Sequence, residues 1–199
     1  MRDNMKSLSH LRRYRVLLAS ASPRRRELLE RLSVDFEIAG GREVDESYPD
    51  EMSVDDVAAY LSRKKADAYK IDIADDELVI TADTVVINNG AVLGKPQSAT
   101  EAIEMLRSLS GHAHKVITGV TITTRQKQVT FSAVTEVEFA TLDDVEIADY
   151  VETFKPLDKA GAYGIQEWIG CIGVKKINGS FYNVMGLPLH RLYSELKSF

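Results

Sequence analysis

The sequence has few of the residues that mark secreted and membrane proteins. Cys171 is the single cysteine, so no disulfide can form within the chain, and nothing indicates an oxidising compartment. No apolar run approaches the roughly 20 residues that a bilayer-spanning helix needs. The polar start MRDNMKSLSHLRRYR also lacks the apolar centre of a signal peptide. We therefore expect a cytoplasmic protein.

Positive charge is concentrated in one stretch. The formal net charge of the chain is −5, although residues 12–31 hold seven arginines and only two glutamates. A nucleic-acid-binding track would interleave its basic residues with aromatic ones, whereas this stretch contains only Tyr14. The local basicity favours a small anionic ligand, and we expect neither a nucleic acid nor a membrane as partner.

The 199 residues are enough for one sizeable core, and 44% of them are hydrophobic. We predict a polar N-terminal extension over residues 1–15 and a single domain over residues 16–199. Strand patterns alternate with helix patterns along the chain, which favours an α/β fold. Among the elements, we predict a helix that is capped by Ser53 and covers residues 54 to about 69, and a hairpin around Asn178-Gly179.

The stretch ASASPRRRELL places positive charge where a helix normally disfavours it. Ser22 followed by Pro23 is a strong helix-start signal, so Arg24 and Arg25 occupy the second and third helical positions. The helix dipole already makes this end positive. An anion is therefore expected here, and phosphate fits because helix N–H groups and arginines together bind it.

Two charged residues occur where apolar residues are expected. Asp83 lies inside LVITADTVVI, where a buried carboxylate is costly unless it is paired or binds a cation. The alternative is an aspartate at a strand end that only hydrogen-bonds the backbone. Lys65 shares a helix stripe with Leu61 and Ala68, and the alternative for it is a side chain that extends outwards to water.

The remaining candidates carry weaker signals. Lys95 in GKP lacks the preceding residues of a P-loop, so an exposed turn lysine is its alternative. His112 and His114 could bind a metal from one side of a strand, but no third ligand has suitable spacing. Cys171 is expected to be a small core residue. The glycines of AGAYGIQ favour a loop whose backbone approaches a ligand.

Four separated motifs resemble one family. LASASPRRRELL, TADTVV followed by GKP, LDKAGAYGIQ and KINGSFYNVMGLP occur in the order and spacing of the Maf-like nucleoside triphosphate pyrophosphatases. The resemblance covers about residues 16–197. AYGIQ resembles the branch that hydrolyses dTTP and UTP, rather than the branch that acts on 7-methyl-GTP. The chain departs from the family where TAD replaces the commoner GAD, and where EWIG follows Gln166 in place of a glycine-richer stretch.

The resemblance implies a fold and a reaction. The fold would be α/β, an elongated twisted mixed β-sheet flanked by helices with a central cleft, related in architecture to inosine triphosphate pyrophosphatases. The reaction would convert dTTP or UTP and water to the monophosphate and pyrophosphate, with a divalent cation, Mg²⁺ or Mn²⁺. Whether the protein forms a homodimer stays open.

The resemblance also implies roles for single residues. Asp83 would be the catalytic proton acceptor, and it would hold the metal together with Asp45, which lies where the family usually has glutamate. The remaining residues fall on motif positions for phosphate binding or catalysis (Ser20, Arg24, Lys65 and Lys95) or for base specificity (Arg25, Thr84 and Gln166).

Two alternatives remain beside this reading. One is another specificity within the family, such as 7-methyl-GTP, and the other is a nucleotide-binding regulator of cell division that does not turn its ligand over. Asp83 favours the enzyme, because a protein that only binds has no need of a costly carboxylate in a strand. Turnover of UTP with Mg²⁺ decides between the enzyme and the regulator.

Overall fold

The computed structural model describes residues 6–199 and has a mixed α/β fold, as the sequence predicts. The hydrogen-bonded order of the strands is β2-β1-β3-β5-β6-β7, with β4 paired to β3. β1 pairs in parallel with β2 and with β3, whereas β4 and β7 are antiparallel to β3 and β6. The strands are β1 (Arg15–Leu18), β2 (Glu37–Ile38), β3 (Glu77–Asn88), β4 (Ala91–Leu93), β5 (Ala113–Thr123), β6 (Gln128–Phe139) and β7 (Val174–Asn178).

Over residues 6–199, seven α-helices and two short 3-10 helices accompany the sheet. Within the described part of the chain, no helix is both long and apolar enough to cross a membrane. The 3-10 helices are Lys6–Arg13 and Ala160–Ala162. The α-helices are α1 (Pro23–Arg31), α2 (Val57–Lys70), α3 (Ala99–Leu109), α4 (Asp144–Phe154), α5 (Trp168–Gly173), α6 (Phe181–Met185) and α7 (Leu189–Leu196).

The chain forms two compact units that share strands β3, β5 and β6. The first unit holds the chain up to Asp83 with residues 118–133 and 186–199, and the second holds residues 84–117 and 134–185. The single domain over residues 16–199 stays a prediction.

The first unit packs its core against β1 and β3. Leu17, Ile73 and Val79 form one buried cluster there. The polar extension predicted for residues 1–15 is packed from Lys6 onward, because Leu8 and Leu11 of the 3-10 helix are fully buried. Residues 1–5 lie outside the described residues.

The second unit is stabilised by caps at its helix starts. The Asp143 carboxylate accepts from the backbone N–H groups of Val145 and Glu146, and the Glu146 carboxylate accepts from the Asp143 N–H. Ser98 likewise accepts from the Glu101 N–H at 3.1 Å. Each cap satisfies backbone donors that the helix itself cannot.

Three local predictions were wrong. α2 begins at Val57 with Asp56 at its N-cap, instead of at residue 54 with Ser53 as the cap, because residues 54–56 form a turn. No hairpin forms around Asn178: β7 ends there, Gly179 takes a φ of 135°, and the chain continues into α6. Cys171 lies in α5 and is exposed, so it is not a core residue.

Candidate active site

The structure brings Lys65 of α2 into contact with Asp83 of β3. The Lys65 ammonium donates to Asp83 Oδ1 at 2.5 Å and lies 2.8 Å from Glu46 Oε1. The exposed fractions of the Lys65 and Asp83 side chains are only 21% and 15%. Asp83 therefore does more than bond its own backbone, and Lys65 does not extend freely into water. We call Lys65, Asp83 and Glu46 the Lys65 cluster.

Buried hydroxyl groups hold α2 against β3, which carries Asp83, and against β5. Thr81 Oγ1 donates to the Ser62 carbonyl oxygen at 2.7 Å, and Ser62 Oγ lies 3.0 Å from Thr121 Oγ1. Ser62 precedes Lys65 by one helical turn, and Thr81 precedes Asp83 by two strand positions. Because Ser62, Thr81 and Thr121 are all fully buried, these bonds fix the position of α2 along β3.

A glycine allows the close approach of α2 to β5. A Cβ atom at Gly119 would lie 2.2 Å from the Ala58 carbonyl oxygen, a backbone atom that cannot move aside easily. Only a residue without a side chain fits this crossing. The helix that carries Lys65 is therefore set at a fixed, short distance from the sheet of the first unit.

Arg25 lies beside the Lys65 cluster and is half-buried. Its guanidinium donates to the Ala82 carbonyl oxygen at 2.8 Å and to the Gly186 carbonyl oxygen at 2.9 Å. Ser20 Oγ accepts a weaker bond from the same group at 3.4 Å. Burial lowers the pKa of Arg25, while the nearby Asp83 carboxylate acts in the opposite direction. An arginine remains charged under such conditions, so this group adds fixed positive charge next to Asp83.

The N-terminus of α1 carries two arginines, and that it binds an anion stays a prediction. Ser22 makes no side-chain cap bond, and the first turn of the helix contains no acidic residue. Arg24 occupies this first turn together with Arg25. The predicted residues Ser20, Arg24, Arg25, Lys65 and Asp83 all belong to the first unit.

Asp45 has different contacts from those expected of a metal ligand beside Asp83. Its carboxylate accepts from the Ser47 N–H at 3.0 Å and lies 2.9 Å from the Lys64 ammonium. The bond from the Ser47 hydroxyl, followed by that from Lys64, lowers the pKa of Asp45. Glu46, which we did not predict, contacts Lys65 together with Asp83. The role of Asp45 stays a prediction, and the geometry favours Glu46.

The second unit contains the other predicted residues. Residues 161–165 of the glycine loop are buried, whereas Gln166 at the end of this stretch is exposed. Lys95 is exposed and follows β4, and its carbonyl oxygen accepts from Gln97 Nε2 at 3.2 Å. Thr84 directly follows Asp83 on β3 and is half-buried.

The structure does not support a metal site at the histidines. His114 is buried, and its Nε2 lies 2.8 Å from the Tyr163 hydroxyl. Burial lowers the pKa of His114 to about 4. His112 is exposed and bonds the Ser110 carbonyl oxygen through Nδ1. Among residues 6–199, no group of three or more His, Cys, Asp or Glu is placed to hold a metal ion.

Comparisons with known proteins agree with the motifs and the fold. A family model described as Maf-like protein matches residues 15–199. A dTTP/UTP pyrophosphatase of Bacteroides fragilis (strain YCH46) is 55% identical over 190 residues, covering 96% of this chain and 98% of that protein. A dTTP/UTP pyrophosphatase of Parabacteroides distasonis is 56% identical over 192 residues, covering 96% and 100%.

A solved structure shares the fold at low identity. The Ham1 protein of Staphylococcus aureus superposes with a TM-score of 0.52 at 16% identity, covering 92% of this chain and 98% of that one. This likeness concerns the architecture alone. Since the family model spans nearly the whole described chain and two relatives exceed half identity, the chain belongs to the family of Maf-like proteins.

Proposed function

We propose that this protein hydrolyses dTTP and UTP to the nucleoside monophosphate and pyrophosphate. The names of the two bacterial relatives support the substrate class. The observation that carries the proposal for this chain is the contact of Asp83 with Lys65, next to the guanidinium of the half-buried Arg25. A half-buried carboxylate among fixed cations suits a reaction that moves a proton beside a polyphosphate.

The chemistry assigns each group a task. Hydrolysis between the α and β phosphates needs a water aimed at the α phosphorus, and Asp83 is the group that would accept its proton. Arg24 and Lys65 would stabilise the negative charge that develops on the departing pyrophosphate. Lys95, in the second unit, stays a predicted phosphate-binding or catalytic residue. Ser20, which bonds Arg25, would orient that guanidinium.

A divalent cation fits the oxygen donors of the Lys65 cluster. Asp83 and Glu46 converge on one ammonium group, so the position already attracts positive charge. Mg²⁺ is bound in proteins through one or two carboxylates together with substrate phosphates, so a larger acidic group is not required. We propose that Asp83 and Glu46 hold Mg²⁺ or Mn²⁺, with Asp45 as the alternative ligand. When bound, such a cation neutralises phosphate charge and polarises the phosphoryl oxygen.

Gln166 is proposed to read the base, and Arg25 and Thr84 stay predicted specificity residues. Its side-chain amide carries both a donor and an acceptor, which matches the N3–H and O4 groups of uracil and thymine. A purine presents a different edge and leaves polar groups unpaired, at about 1–3 kcal/mol for each group. Gln166 is exposed at the end of a buried loop, so its amide is available to a ligand.

A pyrophosphate-release assay over a panel of nucleotides tests this proposal. The panel contains UTP, dTTP, CTP, ATP, GTP and 7-methyl-GTP, each with Mg²⁺ and in parallel with chelator. We expect UTP and dTTP to be hydrolysed at least about tenfold more efficiently than ATP or GTP. A preference for 7-methyl-GTP would overturn the pyrimidine assignment. Binding of UTP without any turnover would instead favour a regulatory protein.

A further inference from the structure

A buried polar network in the second unit has no part in the proposed chemistry. The Tyr150 hydroxyl of α4 donates to Glu167 Oε2 and accepts from the Gly164 N–H at 3.0 Å. The Lys159 ammonium lies 3.1 Å from Glu167 Oε1, and it also contacts Asp158. We call Tyr150, Lys159 and Glu167 the Tyr150 network.

The Tyr150 network holds the loop of residues 160–166 at Lys159, Gly164 and Glu167. Gly161 and the following Ala162 both have positive φ values, 67° and 60°, and a side chain is strained there. A Cβ atom at Gly164 would lie 2.7 Å from the Glu167 carboxyl carbon and 2.9 Å from Gln166 Nε2. The Gln166 amide therefore rests against Gly164, whose N–H is bonded to Tyr150.

The charges of this network are expensive to bury. The exposed fractions of the Lys159 and Glu167 side chains are 9% and 19%, and Tyr150 is fully buried. Burial, and then the bond to Glu167, raises the pKa of Tyr150, so its hydroxyl stays a donor. A buried ion pair is weak support for stability but can select one conformation over others.

We infer that Glu167, with Tyr150 and Lys159, is a positioning residue that fixes the Gln166 amide for recognition of the pyrimidine base. The inference rests on the base-reading role proposed for Gln166. The network contains Lys159, which precedes the loop, and Glu167, which follows Gln166. It also bonds the N–H of Gly164, against which the Gln166 amide rests. An amide held in this way keeps its donor and acceptor directions, whereas an amide on a free loop would sample several rotamers before binding.

The test compares two substrates across a small set of variants. Tyr150→Phe removes the bridging hydroxyl, and Glu167→Gln keeps the size of the side chain but removes its charge. Glu152→Gln, an exposed carboxylate on the same helix as Tyr150, is the matched control. Gln166→Ala reports the base-reading role directly. For each variant, kcat and KM are measured with UTP and with GTP, together with the melting temperature.

We expect the two network variants to raise KM for UTP by about tenfold, with kcat/KM for GTP changed less than about twofold. The efficiency ratio of UTP to GTP then falls in both variants, as in Gln166→Ala, and not in Glu152→Gln. If the network served stability alone, the variants would lower kcat/KM for UTP and for GTP by similar factors. That result, or an unchanged ratio in both network variants while Gln166→Ala lowers it, overturns this inference alone.

Two further outcomes concern the variants Gln166→Ala and Tyr150→Phe. An unchanged ratio in Gln166→Ala overturns the base-reading role and this inference with it, whereas hydrolysis of UTP by the wild type still supports the proposed activity. Should Tyr150→Phe fail to fold, Glu167→Gln decides, and Glu167→Asp must then recover part of the lost ratio because it restores the charge facing Lys159.

Discussion

Lys65 has one ammonium group and two carboxylate partners. With Glu46 at 2.8 Å and Asp83 at 2.5 Å, removal of the ammonium would leave two like charges near each other. Lys64, the neighbour in sequence, makes a separate pair with Asp45. The two adjacent lysines thus contact different acidic residues, Glu46 and Asp83 for Lys65 and Asp45 for Lys64, so Lys64 serves as a matched control for Lys65.

Lys65→Met should lower kcat/KM for UTP at least about a hundredfold, because loss of one group that stabilises transition-state charge costs that much. Lys64→Met removes the same charge one position away and should change kcat/KM less than about threefold, since its partner Asp45 is largely exposed. Steady-state kinetics of the two variants make the comparison. Equal losses in both would remove the Lys65 cluster from the mechanism.

Glu46→Gln should raise the Mg²⁺ concentration for half-maximal activity at least about tenfold, because it removes a carboxylate oxygen donor from the proposed metal site. Asp45→Asn should raise it much less, since Asp45 is turned to Lys64 and Ser47. Activity measured over a Mg²⁺ titration separates the two. A larger shift for Asp45→Asn would return the metal to Asp45.

Helix α1 is the element on which the anion hypothesis depends. Its first turn holds Arg24 and Arg25, and the only acidic residues of the helix, Glu27 and Glu30, lie further along, where they pair with Arg31 and Arg26. Positive charge at a helix start costs about 0.3–1 kcal/mol. A bound phosphate would reverse the sign of that contribution.

Arg24→Ala should raise the free energy of unfolding of the ligand-free protein by a few tenths of a kcal/mol, to about 1 kcal/mol at most. It should also raise KM for UTP strongly. Arg26→Ala, which affects an exposed pair on the same helix, should leave KM unchanged. Urea unfolding and steady-state kinetics measure both quantities. Loss of stability with an unchanged KM would mean that Arg24 has a structural role instead.

The sequence predicts elements well where the signal is local. The N-terminus of α1 at Ser22-Pro23 and the cap at Ser98 follow from residues within one turn, and both are confirmed. The hairpin at Asn178-Gly179 was wrong because β7 takes its partner from β6, about 40 residues earlier, a pairing that turn residues do not encode. Glu46 was missed for the same reason, since its contact with Lys65 depends on where the loop before α2 lies.

At the scale of the whole molecule, stability depends on pH wherever a group has different pKa values in the folded and the unfolded chain. His114 is 3% exposed, with Tyr163 and Phe139 packed around its ring. Burial lowers its pKa from the ordinary 6.5 to about 4, so below pH 6.5 the unfolded chain binds a proton that the folded chain does not. Stability should therefore fall as the pH decreases through this window.

Between pH 7 and pH 4, His114 should cost the wild type up to about 3 kcal/mol of unfolding free energy. His114→Phe removes the titrating group, so the difference between the two pH values should shrink, whatever its stability at pH 7. His112→Gln, at an exposed ring, should keep the difference. Urea unfolding across this pH range measures it, and an unchanged difference in His114→Phe would show that His114 does not titrate in this window.

The most direct test of the central claim is turnover of UTP by Asp83→Asn with Mg²⁺. Asparagine keeps the shape of the side chain but cannot accept the proton, so kcat should fall at least about a hundredfold while KM and the melting temperature change little. Asp149→Asn, an exposed carboxylate on α4, should retain normal kcat. Pyrophosphate release by Asp83→Asn at a rate near that of the wild type would contradict the claim that the Lys65 cluster carries out the hydrolysis.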